Sequence, residues 1–552
     1  MNLQVKIIEV FGYTIKDWIY ILILFSILTG LIFAIFRFKP RILFGFFYVA
    51  ICGILFFKFQ SIFINKIGLF ILLPSLLIGA LIGLLTYPEK IDELWDVPFF
   101  TTNGKKIIKN IRRGVLILGS AGSGKTESPI FSIMEHLAEK KYGGIIYDYK
   151  DGELSEMAKP LFGDRLKVIA IHKPYLGLRI NPISSKYISD EKDINELVNV
   201  IVDNLGSGGK PDFFTENASA LLSAIILKFH LHHPEYCTLP HVISFILAGD
   251  FESKTDSRNL GDQAQAKFLK LKNFLISDQR VAIQASPFLM GLASERQTAA
   301  VLSTLANSLR KLAFPEAYWV LSGDDVNLDV NNFENNSVIT ILNEPKADSF
   351  LSPIIATIIH TATKQMMVRD RIPSFILLDE APTIKLRNMA KLPATMRSFG
   401  VCIIYCMQDL SQGIMQYGRD GIKEITSNLS SQFFGKTNDP ETSRFYEGYF
   451  GMIKEKTKTI QYKSGPEFWK TSSGNSVAEK EVSQVRAIEF FRLKAGQFAF
   501  LSDGEGSIVQ FTKNNIVKEK LDKSKNLTDE KYRTNYDDII IEVNRIINDG
   551  AV

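Results

Sequence analysis

The stretch Val115–Phe131, VLILGSAGSGKTESPIF, decides how this chain is read. Gly114 to Leu118 is a short apolar run with the character of a buried strand, and the pattern from Lys125 onward is that of a helix, so Gly119–Thr126 fills the turn between them. In that setting the N–H groups of a glycine-rich turn and of the helix N-terminus converge on phosphate oxygens, a lysine reaches the terminal phosphates and a hydroxyl ligates magnesium. Gly119, Ser120, Ala121, Gly122, Ser123, Gly124, Lys125, Thr126 and the following Glu127 are therefore the candidate nucleotide-binding residues, with ATP and Mg2+ as the expected ligands. Pro129 suits the first turn of a helix, where its missing N–H has no intrahelical use.

A phosphate loop needs a carboxylate to hold its metal. Ser374-Phe375-Ile376-Leu377-Leu378-Asp379-Glu380 supplies a buried strand ending in two acids: Asp379 joins Thr126 as a candidate metal ligand, and Glu380 is the candidate base for the attacking water. The next strand-like run, Val401 to Cys406, leads into Gln408. In a parallel sheet ligands sit at the carboxyl ends of strands, so Gln408 is expected beside Glu380 as a γ-phosphate sensor.

Composition restricts the class. The 552 residues exceed one ordinary core, and 46% apolar content leans toward membrane attachment. Residues 1–89 hold seven Lys and Arg against three acids, which leaves the remainder close to neutral. Nucleic-acid contact must then come from a local basic lining, because no global positive field exists. Cys52, Cys237, Cys402 and Cys406 have neither disulfide-framework nor zinc spacing, as suits a reducing compartment.

Three apolar runs open the chain. Trp18–Phe36 is 19 residues without a charge, Ile42–Phe57 is shorter, and Ile67–Tyr87 is again long enough to span. Arg37, Lys39 and Arg41 follow the first run, and Lys90, Lys105, Lys106, Lys109, Arg112 and Arg113 follow the third, so the positive-inside tendency places the large C-terminal part in the cytoplasm. The first run is longer than a signal peptide's apolar region, and Arg37-Phe38-Lys39-Pro40-Arg41 offers no small-residue cleavage site, so the expected organisation is a transmembrane domain of three helices at 1–90; the first part of a nucleotide-binding domain at 91–187; an all-α domain at 188–325, where apolar residues recur as in Ile194, Leu197, Val198, Ile201; the second part at 326–512; and a charged C-terminal tail at 513–552 with one helix near 529–547.

The order of these pieces resembles a family. Membrane spans, Gly119–Thr126, Tyr147-Asp148-Tyr149-Lys150-Asp151-Gly152-Glu153-Leu154, Asn181-Pro182-Ile183, a helical insert, Leu377-Leu378-Asp379-Glu380 and Gln408 together resemble the type IV coupling proteins of conjugation and secretion systems, over about residues 100–510. The resemblance implies an α/β fold with N-terminal transmembrane helices, a RecA-like P-loop ATPase domain and an inserted all-α domain. It also implies homo-hexamers in the bacterial inner membrane that pass DNA, with a relaxase or effector protein, to the subunits of a type IV secretion channel. The family's Asp-Pro-Lys-Gly-Glu type motif appears here with one residue inserted and tyrosine in place of proline, and three spans depart from its usual two. Hexameric motors complete charge stabilisation with an arginine from the adjacent subunit, for which Arg397 is the candidate.

Two other readings compete. An FtsK-like DNA translocase keeps the motor and changes the cargo, though the helical insert argues against it. A membrane receptor that binds nucleotide only to fix its assembly would hand substrate to another ATPase. No Leu-Ser-Gly-Gly-Gln segment lies between the nucleotide motifs, which disfavours an ABC transporter.

Overall fold

The structure, a computed structural model, describes residues 27–33, 92–205, 213–248, 269–292, 294–463, 472–524 and 527–549. The chain divides into two compact units, Met1–Asp92 and Glu93–Val552. In the first unit the described part is a helical stretch at 27–33 that buries Leu28 and Ile32, one turn apart. Among the described residues no helix is long and apolar enough to cross a membrane. The expected spans otherwise lie outside the described residues.

The second unit is built on a nine-stranded sheet. Its strands are β3 (Val115–Leu118), β4 (Gly143–Asp148), β5 (Leu166–Ala170), β6 (Val338–Leu342), β7 (Ser374–Leu378), β8 (Val401–Met407), β9 (Ser431–Phe434), β12 (Gln497–Ser502) and β13 (Glu505–Gln510). Two hairpins lie apart from it: β1 (Val97–Thr101) with β2 (Gly104–Ile108), and β10 (Met452–Lys463) with β11 (Ser472–Ser483). The spatial order is β13-β12-β9-β3-β8-β7-β4-β6-β5. The run from β9 to β5 is parallel throughout, and β12 and β13 close one edge antiparallel.

Continuous apolar strands are what a parallel sheet covered on both faces requires. The two-residue period of a strand then divides their side chains between two cores. Leu116, Leu118, Ile145, Tyr147, Ile376, Leu378, Ile403 and Tyr405 join one, which extends into the helical insert. Val115, Ile117, Ile146, Phe375, Leu377, Cys402, Ile404 and Cys406 join the other, packed with α1 (Phe131–Glu139), α2 (Glu153–Phe162) and the β1–β2 hairpin. Cys402 and Cys406 are thus buried free thiols on one face of β8. At Gly144 a side chain has no room: a Cβ would lie 2.5 Å from the carbonyl oxygen of Phe375 on the neighbouring strand.

Between β5 and β6 the chain leaves the sheet through α3 (Glu191–Leu205), α4 (Phe213–His232), α5 (Leu239–Ala248), α6 (Glu295–Arg310) and α7 (Pro315–Leu321). The Asn181-Pro182-Ile183 segment ties this excursion down. Asn181 is buried and donates to the Cys237 carbonyl at 2.9 Å, while Thr361 donates to the Pro182 carbonyl at 2.9 Å from α8 (Asp348–Met366).

The C-terminal residues, expected as a charged tail, fold back onto the protein. Residues 519–524 run beside α2 and β5, with the Glu519 N–H donating to the Glu156 carbonyl at 2.9 Å, the Ser524 N–H to the Tyr175 carbonyl at 2.7 Å, and Leu521 buried against Ala170 and Leu342. The last helix, α9 (Asp529–Asp549), packs on α5 and α7. It buries Tyr532, Ile539, Val543 and Ile546, and its Glu542 meets His241 at 2.9 Å. The charge of this segment sits on the opposite, solvated side of an amphipathic helix, which is how a polar composition accompanies a docked element.

Val543 is fully buried. Placing an unpaired carboxylate there by Val543→Asp is expected to cost about 3 kcal/mol. Hydrogen exchange checks it: the amides of α9 should lose protection while those of β3 and β8 keep theirs, and unchanged protection in α9 would contradict its docked position.

Candidate active site

The glycine-rich turn leaves the carboxyl end of β3, between β9 and β8. Gly122 and Gly124 have φ of 76° and 88°, a region that side chains disfavour, and a Cβ on Gly119 would lie 2.6 Å from the Ser123 hydroxyl. Neighbouring strands fix the turn from both sides. The Ser120 N–H donates to the Lys436 carbonyl beyond β9 at 2.8 Å, and the Gly496 N–H before β12 donates to the Ser123 carbonyl at 2.9 Å. Ala121 and Gly122 form an exposed tip, Glu127 is exposed, and Lys125 is buried.

The helix after the turn begins differently from a plain α-helix. Thr126–Ile130 is a π-turn in which the Ile130 N–H reaches the Lys125 carbonyl at 3.1 Å, five residues back. Pro129 offers no N–H at the preceding position, so the backbone closes the longer ring before α1 resumes ordinary pairing.

The acidic pair comes to the loop through the sheet. β7 is separated from β3 by β8 alone, and all three end on the same side. Lys125 Nζ donates to the Gly119 carbonyl at 2.5 Å and lies 3.6 Å from Glu380 Oε1; both side chains are almost wholly buried. Gln408, just past β8, donates from Nε2 to the same Glu380 oxygen at 3.1 Å. Lys125, Glu380 and Gln408 therefore converge, and Asp379 adjoins them with only 3% of its surface exposed.

Glu380 occupies the left-handed region, with φ of 52° and ψ of 50°. A non-glycine residue there costs roughly 1–2 kcal/mol. The turn is held by its own hydrogen bonds: Thr383 donates from both backbone N–H and Oγ1 to the Glu380 carbonyl, at 3.0 and 2.8 Å, and Thr383 Oγ1 also meets the Tyr147 hydroxyl at 2.7 Å. Asn343 donates to that hydroxyl at 2.8 Å. β4, β6 and β7 together thus aim one carboxylate at the loop.

The electrostatics suit a cation. Burial, and next the neighbouring Glu380 charge, push the Asp379 carboxyl up to about 7, against the pull of Lys150 and Lys125. Asp379 Oδ1, Glu380 Oε2 and Ser123 Oγ are buried without a hydrogen-bond partner in the protein. Two unpartnered carboxylate oxygens with a hydroxyl at the loop are a hard-oxygen donor set, which fits Mg2+.

Lys150 was not assigned a role by the sequence. It lies in the loop after β4, the other neighbour of β7, 3.7 Å from Glu153, and its ammonium interacts with Asp379 and Glu380. The motif Asp148–Glu153 was visible, but its meeting with the acidic pair depends on β4 lying beside β7. Buried Asp148 organises this loop, accepting from the N–H groups of Lys150 and Ser155 and from the Ser155 hydroxyl. Arg397 does not join the group. It is exposed and precedes the amino end of β8, the end of the sheet opposite Gln408.

The family profile described as type IV secretory system conjugative DNA transfer matches residues 86–495. The chain belongs to that family. Among solved structures it is similar to the bacterial conjugative coupling protein TrwBdeltaN70 in its unbound monoclinic form, with 14% identity, a TM-score of 0.55, and coverage of 77% of this chain and 91% of that one. TrwB in complex with the ATP analogue ADPNP gives 14% identity, a TM-score of 0.56 and coverage of 75% and 89%. Its complex with ADP and Mg2+ gives 14%, 0.55, 75% and 88%. At such identity the likeness concerns the fold. No curated protein sequence matches the chain. The family match spans the loop, the acidic pair and Gln408, and stops just short of Gly496.

The raised Asp379 pKa carries a stability consequence. From the ordinary carboxylate range up to about pH 7 the folded chain keeps a proton that the unfolded chain has released, so this group lowers stability as pH rises through that window. Asp379→Asn is expected to stabilise the nucleotide-free, Mg2+-free protein at pH 8, by on the order of a few kcal/mol, and to do little at pH 4. Denaturant unfolding at the two pH values checks it; equal effects at both would contradict the assignment.

Proposed function

We propose that the chain is an ATP-hydrolysing motor of conjugative DNA transfer. The observation that carries this reading is the convergence of Lys125, Glu380 and Gln408 beside Asp379, with carboxylate oxygens left unpartnered, in a chain of the conjugative DNA transfer family.

The chemistry follows from these positions. N–H groups of Gly122–Thr126 and the Lys125 ammonium hold the phosphates; Lys125 exchanges its bonds to the Gly119 carbonyl and Glu380 for phosphate oxygens. Thr126 and Asp379 would hold Mg2+, which neutralises charge developing on the phosphoryl oxygens. Glu380 accepts the proton of the attacking water, and Gln408, bonded to Glu380 Oε1, fixes the carboxylate's orientation. Glu127, exposed past the loop, lies at the nucleoside side rather than at the chemistry. Arg397, remote from the site of its own chain, serves the site of a neighbouring copy in a hexamer.

In this reading residues 91–187 and 326–512 form the nucleotide-binding domain, and the all-α domain at 188–325 caps it. The apolar runs before residue 90 anchor the motor in the inner membrane, with DNA and its attached protein as cargo for the secretion channel. Excursion of the helical insert between β5 and β6 supports the coupling-protein arrangement over a bare translocase.

Glu380→Gln keeps the side-chain shape and removes the base. It is expected to lower ATP turnover by about 10²-fold or more while ATP affinity stays within a few-fold. Phosphate release by the purified protein, with and without single-stranded DNA, measures this, and undiminished turnover would overturn the role. Gln408→Ala, which leaves Glu380 misoriented but present, should cost about tenfold in kcat with little change in KM. An equal loss in nucleotide affinity would mark Gln408 as a binding group instead.

A further inference from the structure

The β1–β2 hairpin is seated by one of its faces. Val97, Phe99, Thr101 and Ile108 are buried. The Phe99 ring stacks on Phe511 with centroids 5.0 Å apart and meets Phe500 edge-on at 5.1 Å. The backbone is tied to the end of β13, where the Thr102 N–H donates to the Gln510 carbonyl at 2.9 Å and the Thr512 N–H to the Phe100 carbonyl at 3.1 Å. Rings and hydrogen bonds together fix which face of the hairpin points outward.

Strand alternation turns the neighbouring residue the other way: Phe99 is 1% exposed and Phe100 61%. Phe100 lies opposite Lys105 in the antiparallel register and Pro98 opposite Ile107, so these four share the outer face. Pro98 and Ile107 are half-buried, while Lys105 and Lys106 are exposed. An apolar strip is thus bordered by ammonium groups. Residues 97–109 contain three lysines and no acid. Of the acids just before them, Asp96 accepts from the Asn110 N–H at 2.9 Å, and Asp92 and Glu93 lie earlier in the chain. Only thirteen residues separate Phe100 from Tyr87, the end of the third apolar run. That is a tether of at most about 45 Å.

We propose that the outer face of this hairpin rests on an anionic lipid surface, with the Phe100 ring in the headgroup region and Lys105 and Lys106 paired with lipid phosphates. The inference rests on the reading that the apolar runs before residue 90 anchor the chain in the membrane, and it adds a peripheral contact beside that anchor. A single exposed aromatic is ordinary on a protein surface. Here it is joined by two observations that point to lipid. Cations border it with no acid among them, which is complementary to an anionic leaflet whose attraction for Lys fades within a Debye length. The short tether keeps the hairpin close to whatever the preceding run enters. An apolar body with a basic rim is the surface that lies at a headgroup boundary. Single-stranded nucleic acid would meet the same lysines, but it stacks on successive rings, and residues 97–109 expose only Phe100. Because the hairpin is bonded to β13, this contact would hold the edge of the nine-stranded sheet to the membrane as well.

A fluorophore at position 100 reads the contact in the full-length chain. Phe100→Cys is labelled in a Cys52→Ser background, the other three cysteines being buried, and Met290→Cys, 81% exposed on the helical insert, serves as the control. Each is reconstituted into nanodiscs of brominated phosphatidylcholine alone or with phosphatidylglycerol as about a third of the lipid. With phosphatidylglycerol, bromine is expected to quench the label at 100 about twofold or more and to leave the label at 290 unchanged. Lys105→Gln with Lys106→Gln, or salt at about 1 M, should return the label at 100 to the level of the control. Quenching at 100 no greater than at 290 would overturn the proposal, as would equal quenching with and without phosphatidylglycerol. A label that responds to single-stranded DNA and not to lipid would assign the face to nucleic acid and overturn it too. A chain that fails to copurify with nanodiscs would instead overturn the membrane-anchor reading itself.

Discussion

The arrangement depends on one buried charge pair, Lys125 with Glu380, 3.6 Å apart across the carboxyl ends of β3 and β7. Two ions withdrawn from water are costly unless each has partners. Here Lys125 also has the Gly119 carbonyl and Glu380 also has Gln408, so a loop, a strand end and the strand between them are drawn to one point. That point is incompletely satisfied, since Asp379 Oδ1 and Glu380 Oε2 keep no protein partner. A site poised to exchange internal bonds for those of a metal-bound phosphate has this character.

Around the pair, each layer of structure constrains the next. Unbroken apolar strands demand cover on both faces, and the two-residue period divides them between a core shared with α1 and α2 and a core continuous with the helical insert. The insert is therefore packed against the face of the sheet rather than hung from a linker. The C-terminal strap closes a second connection, from the edge of the phosphate loop at Asn514 to the insert at Glu542 and His241. At the site itself, β4, β6 and β7 jointly hold a left-handed glutamate, Glu380, through Tyr147, Asn343 and Thr383.

Much of this was legible in the sequence, for identifiable reasons. β3, β4, β6, β7 and β8 are short apolar runs with abrupt polar ends, and the motif residues sit at those ends, so both the strands and the chemistry beside them could be read locally. The helical excursion after β5 announced itself by its periodicity. What could not be read is whatever depends on strand order. Lys150 faces the acidic pair only because β4 lies beside β7, and Gly496 touches the loop only because an antiparallel edge returns to it. Arg397, the candidate for a neighbouring subunit's site, precedes β8 while Gln408 follows it, so within one chain the length of that strand separates them. The apolar stripe Tyr532, Ile539, Val543, Ile546 was present in the tail, yet a stripe does not name the surface that covers it. Pro129 signalled a helix start without revealing the π-turn that its missing N–H imposes.

A paramagnetic metal in place of magnesium tests most directly whether Thr126 and Asp379 hold a metal-bound nucleotide. Mn2+ and ADPNP are added to the purified protein, and the bound metal is followed by electron paramagnetic resonance, with phosphorus couplings reporting its contact with the nucleotide. A nucleotide-dependent Mn2+ site with phosphorus couplings is expected in the wild type, weakened at least about tenfold in affinity by Asp379→Asn and by Thr126→Ala. Mn2+ binding with ADPNP that neither substitution affects would place the metal elsewhere and contradict that assignment.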